Sequence, residues 1–126
     1  MRIKPLLLIL MLLAMNATAQ TKKESGKLLQ HVVLFKFKDD AKPEDVKKVE
    51  EAFVALKSQI KEIKAVEWGL NNSPENLNQG FTHCFLVSFA SEKDRDIYLP
   101  HPKHKELVAL LGPVLDKVLV IDYWQK

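Results

Sequence analysis

Phe81-Thr-His-Cys-Phe-Leu-Val-Ser-Phe-Ala90 is the stretch on which the reading of this fold turns. Phe81, His83, Phe85, Val87 and Phe89 alternate with Thr82, Cys84, Leu86 and Ser88. A strand with that period has one strongly apolar face, interrupted here only by a histidine. Upstream, Asn71–Gly80 collects Asn, Ser, Pro and Gly and reads as a loop. Before it, Ala65–Asn71 reads as a weaker strand with Val66, Trp68 and Leu70 on one face. Downstream, Ser91 is a helix N-cap with Asp94 three residues on. Pro100 and Pro102 break that helix early, because each lacks a backbone donor. A second short helix is predicted from about Pro102 to Leu111, ended by Gly112-Pro113.

The flanks complete the pattern. Leu28–Lys38 is predicted as a first strand, with His31, Val33, Phe35 and Phe37 on one face and Val32, Leu34, Lys36 and Lys38 on the other. Pro43 suits the first position of a helix, and Glu44 and Asp45 complement its N-terminus. Val46, Val49, Phe53, Leu56, Ile60 and Ile63 recur at spacings of three and four, forming one apolar stripe. Val114–Trp124 is the last strand, with Val118, Val120 and Trp124 opposite Leu119, Ile121 and Tyr123. Strand, helix, strand, strand, helix, strand is the ferredoxin-like α+β order: a four-stranded antiparallel sheet with helices on one face. The other face is predicted to carry Val32, Leu34, Cys84, Leu86, Val118 and Val120. A bare apolar patch of that size favours self-association, so a homodimer with sheets packed face to face is expected.

The chain has 126 residues, room for one domain with a core. Its start is different in kind. Arg2 and Lys4 precede the uncharged run Leu6–Met15, and Ala17-Thr18-Ala19 follows. Residues 1–19 therefore read as a cleaved secretory signal peptide, 20–27 as a flexible leader and 28–126 as the domain. Export places the protein in a periplasm or outside the cell, with no membrane attachment after cleavage. Without Arg2 and Lys4 the formal net charge drops from +3 to +1. No basic run carries interleaved aromatics, which argues against nucleic acid. The single cysteine, Cys84, is read as a buried inert thiol.

Several stretches together resemble the stress-responsive A/B barrel domain family, a dimeric α+β barrel group. They are His31-Val-Val-Leu-Phe-Lys-Phe-Lys38, Trp68-Gly69, Gly80-Phe-Thr-His-Cys-Phe-Leu-Val-Ser-Phe89, Tyr98-Leu-Pro-His-Pro-Lys-His104 and Val120-Ile-Asp-Tyr123. The resemblance runs from Gln30 to Trp124 and implies the dimeric barrel. Enzymes similar to it include plant polyketide cyclases, which close a poly-β-keto chain by aldol chemistry. It implies a site at His31, His83, Tyr98 and His104, with Tyr98 and His104 as the catalytic pair; Pro100 departs from the pattern.

On geometry, His31 and His83 share faces with Phe35 and Phe85, the composition of an apolar ligand pocket with few polar groups. There His104 would act as a base and Tyr98 would orient it or bind an enolate, while His31 and His83 hold substrate carbonyls. Each histidine also has a plain structural reading, as a core group with its ring nitrogens satisfied. His101 and His104 sit at i, i+3 without a companion carboxylate, so neither a metal nor an organic cofactor is expected. The leading functional expectation is binding of a small apolar or aromatic molecule in a histidine-lined pocket, in a stress setting. The alternatives are a cyclase- or isomerase-like enzyme acting on a keto compound through Tyr98 and His104, and a structural homo-oligomer without a ligand.

Overall fold

The structure, a computed structural model, describes residues 26–126. The signal peptide expected at residues 1–19, and most of the leader, lie outside the described residues. Seven elements follow in order: β1 (Leu29–Phe37), α1 (Pro43–Gln59), β2 (Ile63–Leu70), β3 (His83–Phe89), α2 (Glu92–Tyr98), α3 (Pro102–Leu111) and β4 (Leu115–Trp124). Their caps follow local chemistry. Pro43 opens α1, where a missing N–H costs nothing. Ser91 Oγ accepts from the Asp94 N–H at 3.1 Å to start α2. His101 Nδ1 accepts from the Lys103 N–H at 3.0 Å to start α3. Pro100 and Pro102 separate the two short helices.

The sheet order is β2-β3-β1-β4, antiparallel throughout, the ferredoxin-like arrangement. The helix-facing side is the core. Val49, Phe53 and Leu56 of α1 are buried there with Phe35, Phe85, Val87 and Phe89. Phe53 and Phe85 stack at 4.0 Å between ring centroids, and Trp68 lies parallel to Phe85 at 5.2 Å. Each buried phenylalanine contributes on the order of 1.5–3 kcal/mol of transfer free energy. Among the described residues no helix is long and apolar enough to cross a membrane.

Three sequence expectations shift. The α1 stripe does not run through Ile63: the helix ends at Gln59 and Ile63 opens β2. A residue spaced for a helical stripe is equally well buried as the first inward residue of a strand. Val118 and Val120 belong to the helix side, because Val33 pairs with Val120 and Phe35 with Val118, and directly opposed residues share a face. The open face instead carries Val32, Leu34, Leu86, Leu119, Ile121 and Tyr123, set by Val32–Ile121 and Leu34–Leu119 pairing. Cys84 is exposed on that same face, since no helix covers it.

Candidate functional site

A cavity of about 610 Å³ lies between the sheet and the α2–α3 break. Val33, Phe35, Phe53, Leu107, Leu111, Val118 and Val120 give it apolar walls, and His31, Arg95, Tyr98, His104 and Asp122 supply polar atoms. It exists because α1 and α2 pack toward the β2–β3 side of the sheet, α3 packs on α1, and β4 is left at the edge. Val118 and Val120 face the helix side yet remain 50% exposed.

Each polar group is positioned by a different element. His31 is the third residue of β1 and is buried. Its Nδ1 donates to Asp122 Oδ1 on neighbouring β4 at 2.7 Å. Arg95 of α2 donates from Nη1 to the other oxygen, Asp122 Oδ2, at 3.1 Å, and from Nε to Asp96 Oδ1 at 3.1 Å. The Asp96 hydrogen bond foremost, with Asp122, holds the guanidinium firmly charged. A carboxylate offers no proton, so the His31 proton sits on Nδ1 whenever the ring is neutral and Nε2 carries a lone pair.

Tyr98 ends α2 and is fully buried. Its ring lies 4.5 Å from that of His104, 5.8 Å from His31 and 5.1 Å from Phe89, centroid to centroid. The hydroxyl has no hydrogen-bond partner among the described residues, and burial pushes its pKa far above the usual phenol value. Tyr98 is therefore a neutral donor at any physiological pH. His104, in the first turn of α3, donates from Nδ1 to the Leu99 carbonyl at 2.8 Å. This bond again leaves Nε2 as the lone-pair nitrogen. Burial, followed by the imidazoles of His31 and His101, lowers the His104 pKa against the opposing pull of the Leu99 carbonyl. His104 is accordingly a neutral base-form imidazole at pH 7.

Of the residues expected at one site, His31, Phe35, Tyr98 and His104 meet at this cavity. His83 and Phe85 do not. Phe35 pairs with His83 while His31 pairs with Val87. The two histidines are thus four residues apart along the sheet, about 13 Å, with Phe85 and the Phe53 ring stacked on it between them. Phe85 is part of that partition, enclosed by Phe53 and Trp68. His83 has its own partners: Nε2 bonds Glu50 Oε2 of α1 at 2.7 Å and Nδ1 bonds Thr82 Oγ1 at 2.8 Å.

His31 lies near the start of β1 and His83 opens β3, and antiparallel neighbours start at opposite ends of a sheet. Arg95 and Asp122, which orient His31, were not anticipated; Asp122 sits opposite His31 only through the β1–β4 register. Among the described residues no three His, Cys, Asp or Glu side chains gather as a metal-binding group.

Residues 29–125 match the stress responsive A/B barrel domain family. A stress-response A/B barrel domain-containing protein of Arabidopsis thaliana is 41% identical over 95 residues, covering 75% of this chain and 87% of that protein. Olivetolic acid cyclase of Cannabis sativa is 28% identical over 95 residues, covering 75% of this chain and 94% of the cyclase. A solved structure from Bacteroides fragilis, described as a dimeric protein of unknown function with a ferredoxin-like fold, superposes with a TM-score of 0.62. It is 28% identical and covers 76% of this chain and 94% of its own.

Proposed function

The chain belongs to the stress-responsive A/B barrel domain family, and from that premise we propose that it is an exported homodimer that binds a small apolar or aromatic molecule in the cavity at His31, Tyr98 and His104. One observation carries the reading. Tyr98 shares an apolar cavity with His104, their rings 4.5 Å apart, and its hydroxyl makes no hydrogen bond to another described residue. A ligand oxygen is the natural partner for a phenol so placed. Phe35, Phe53, Leu107 and Leu111 match the flat apolar body of an aromatic molecule.

The homodimer rests on the open face. Leu119, Ile121 and Tyr123 are 41–52% exposed beside Val32, Leu34 and Leu86. A patch of that composition is stable in water when a second sheet covers it. The Bacteroides fragilis relative is described as dimeric. Export rests on the basic–apolar–Ala-x-Ala pattern of residues 1–19.

The enzymatic reading has support of its own in the tautomer of His104. With Nδ1–H committed to Leu99, Nε2 of the neutral ring is free to take a proton from a carbon between two carbonyls. The Tyr98 O–H would then donate to the enolate oxygen that forms. His31 accepts from a ligand hydroxyl when neutral, and donates to a carbonyl only as the imidazolium paired with Asp122. A relative at 28% identity is named as a cyclase.

The test is an NMR titration of the histidine ring resonances of the protein with acetophenone. Joint movement of His31 and His104, with His83 stationary, is the expected result. No movement of any ring at millimolar ligand would overturn the binding reading and leave oligomeric assembly as the function.

A further inference from the structure

His83 belongs to a second polar chain, remote from the cavity at Tyr98. Glu50 Oε2 lies 2.7 Å from His83 Nε2, and Thr82 Oγ1 lies 2.8 Å from His83 Nδ1. The carboxylate has no proton to give, so the neutral ring carries its proton on Nε2 and donates it to Glu50. Nδ1 then has only a lone pair, and the contact to Thr82 runs from the hydroxyl to the imidazole. The order hydroxyl, imidazole, carboxylate is that of a nucleophile, its general base and the group that orients the base. His83 is buried, stacked on Trp68 at 5.8 Å and met edge-on by Phe37 at 4.9 Å, so its orientation is held. Thr82 is exposed.

Thr82 opens onto a cavity of about 550 Å³ at the end of β2 and β3. Leu34, Trp68, Leu70, Leu77 and Leu86 line it, a setting for an apolar acyl chain. Its loop is shaped by left-handed residues Asn76, Gln79 and Gly80. At Gly80 an added Cβ would fall 2.7 Å from Lys36 Cε, so the loop lies directly against the Lys36 side chain. Cys84 lines the same cavity, but partial desolvation and then Glu67 raise its thiol pKa. No hydrogen-bonded base serves it among the described residues, so the thiolate is scarce.

We propose that Thr82 is a nucleophile, activated by His83 and oriented through Glu50, that takes an acyl group from small apolar esters. The Thr82 oxygen bonds the ester carbonyl carbon as its proton passes to His83 Nδ1. The carbon–alkoxide bond then breaks and the same proton leaves with the alcohol, giving acyl-Thr82. Water completes the turnover: its proton goes to Nδ1, its oxygen bonds the acyl carbon, and the proton returns to Thr82 Oγ1 as the acid departs. Glu50 stays ionised and steadies the transient imidazolium. A second copy on the open sheet face would close the cavity floor at Leu34, Leu86 and Leu119. Trp68, Leu70 and Thr82 border it from the β2–β3 end.

The experiment incubates the full protein with p-nitrophenyl acetate and p-nitrophenyl butyrate. It follows p-nitrophenolate release and maps the acyl group by peptide mass spectrometry. The expected result is one acyl group on Thr82. Thr82→Val abolishes it, Thr82→Ser retains it, and Glu50→Gln slows its formation on the order of 10²-fold, the scale of general-base assistance. Ser58→Ala, at an exposed hydroxyl on α1, leaves it unchanged. An acyl group only on Cys84 or on lysines overturns the proposal, as does no adduct at all. Equal rates in the wild type and a folded Glu50→Gln protein overturn the role of the relay. If Glu50→Gln does not fold, the Val–Ser pair at position 82 decides. These outcomes are independent of binding at Tyr98, which acetophenone reads separately.

Discussion

Tyr98→Phe separates a ligand-facing hydroxyl from a structural one. The substitution removes one oxygen and keeps the ring, with its contacts to His104, His31 and Phe89 at 4.5, 5.8 and 5.1 Å. The hydroxyl bonds nothing among the described residues, so its loss should change folding stability by less than about 0.5 kcal/mol. For a domain of this size that is under ~4 °C in Tm. Truncation to alanine would instead cost ~3–5 kcal/mol through the cavity it leaves, so the fold is sensitive to the ring and not to the oxygen. Binding behaves oppositely. A lost neutral hydrogen bond costs roughly 0.5–1.5 kcal/mol, a two- to tenfold weaker Kd. Loss of a donor to a developing enolate would be larger, on the order of 10²–10³ in rate. Thermal unfolding and an acetophenone titration followed by NMR measure both sides. A fall of ten degrees or so in Tm would refute the reasoning, because the hydroxyl would then have a structural partner. An unchanged acetophenone affinity would reduce Tyr98 to a wall of the cavity.

Other outcomes follow from the same geometry. Ile121→Asp, Leu34→Asp and Leu86→Asp should each reduce the solution mass from dimer to monomer, whereas Val120→Asp, on the helix side, should leave it dimeric; light scattering on the eluting peak reads this. Burial, with His31 and His101, lowers the His104 pKa in the folded state, so as pH falls the unfolded chain takes up the proton first. The neutral ring's contribution to stability is full above the ordinary histidine value of about 6.5 and is lost as pH drops below it. His104→Gln should flatten that limb of the urea midpoint–pH curve. Glu50→Leu leaves the buried His83 Nε2–H unpaired and should cost ~1–3 kcal/mol in urea unfolding. Export predicts a mature chain beginning at Gln20, which intact mass of the exported protein checks.

Much of the architecture was legible because its signals are local. Period-two alternation in Phe81–Ala90 and the Val49–Phe53–Leu56 stripe name a strand and a helix by which side chains share a face. Ser91, Pro43, Pro102 and Gly112 mark ends through hydrogen-bonding chemistry that each residue carries with it. Parity also placed His31 and His83 on the helix side of their strands, where both lie. What parity lacks is position along the sheet. Seen as two histidines on one apolar face, His31 and His83 looked like companions, yet β1 and β3 run in opposite directions. The same limit misplaced Val118 and Val120, whose face depends on the partner strand's register.

The sequence by itself determined the elements, their order, the side of β1 and β3 that packs on helices and the family. Those follow from backbone periodicity, capping and burial of apolar side chains, all written within a few residues of one another. Tertiary structure alone decided which polar groups meet. Asp122 reaches His31 across 91 residues of chain, Glu50 reaches His83 across 33, and Arg95 joins Asp122 from another helix. A hydrogen bond needs its partners within about 3 Å. Spacing along the chain does not set such a distance; strand register and the packing of helix on sheet do.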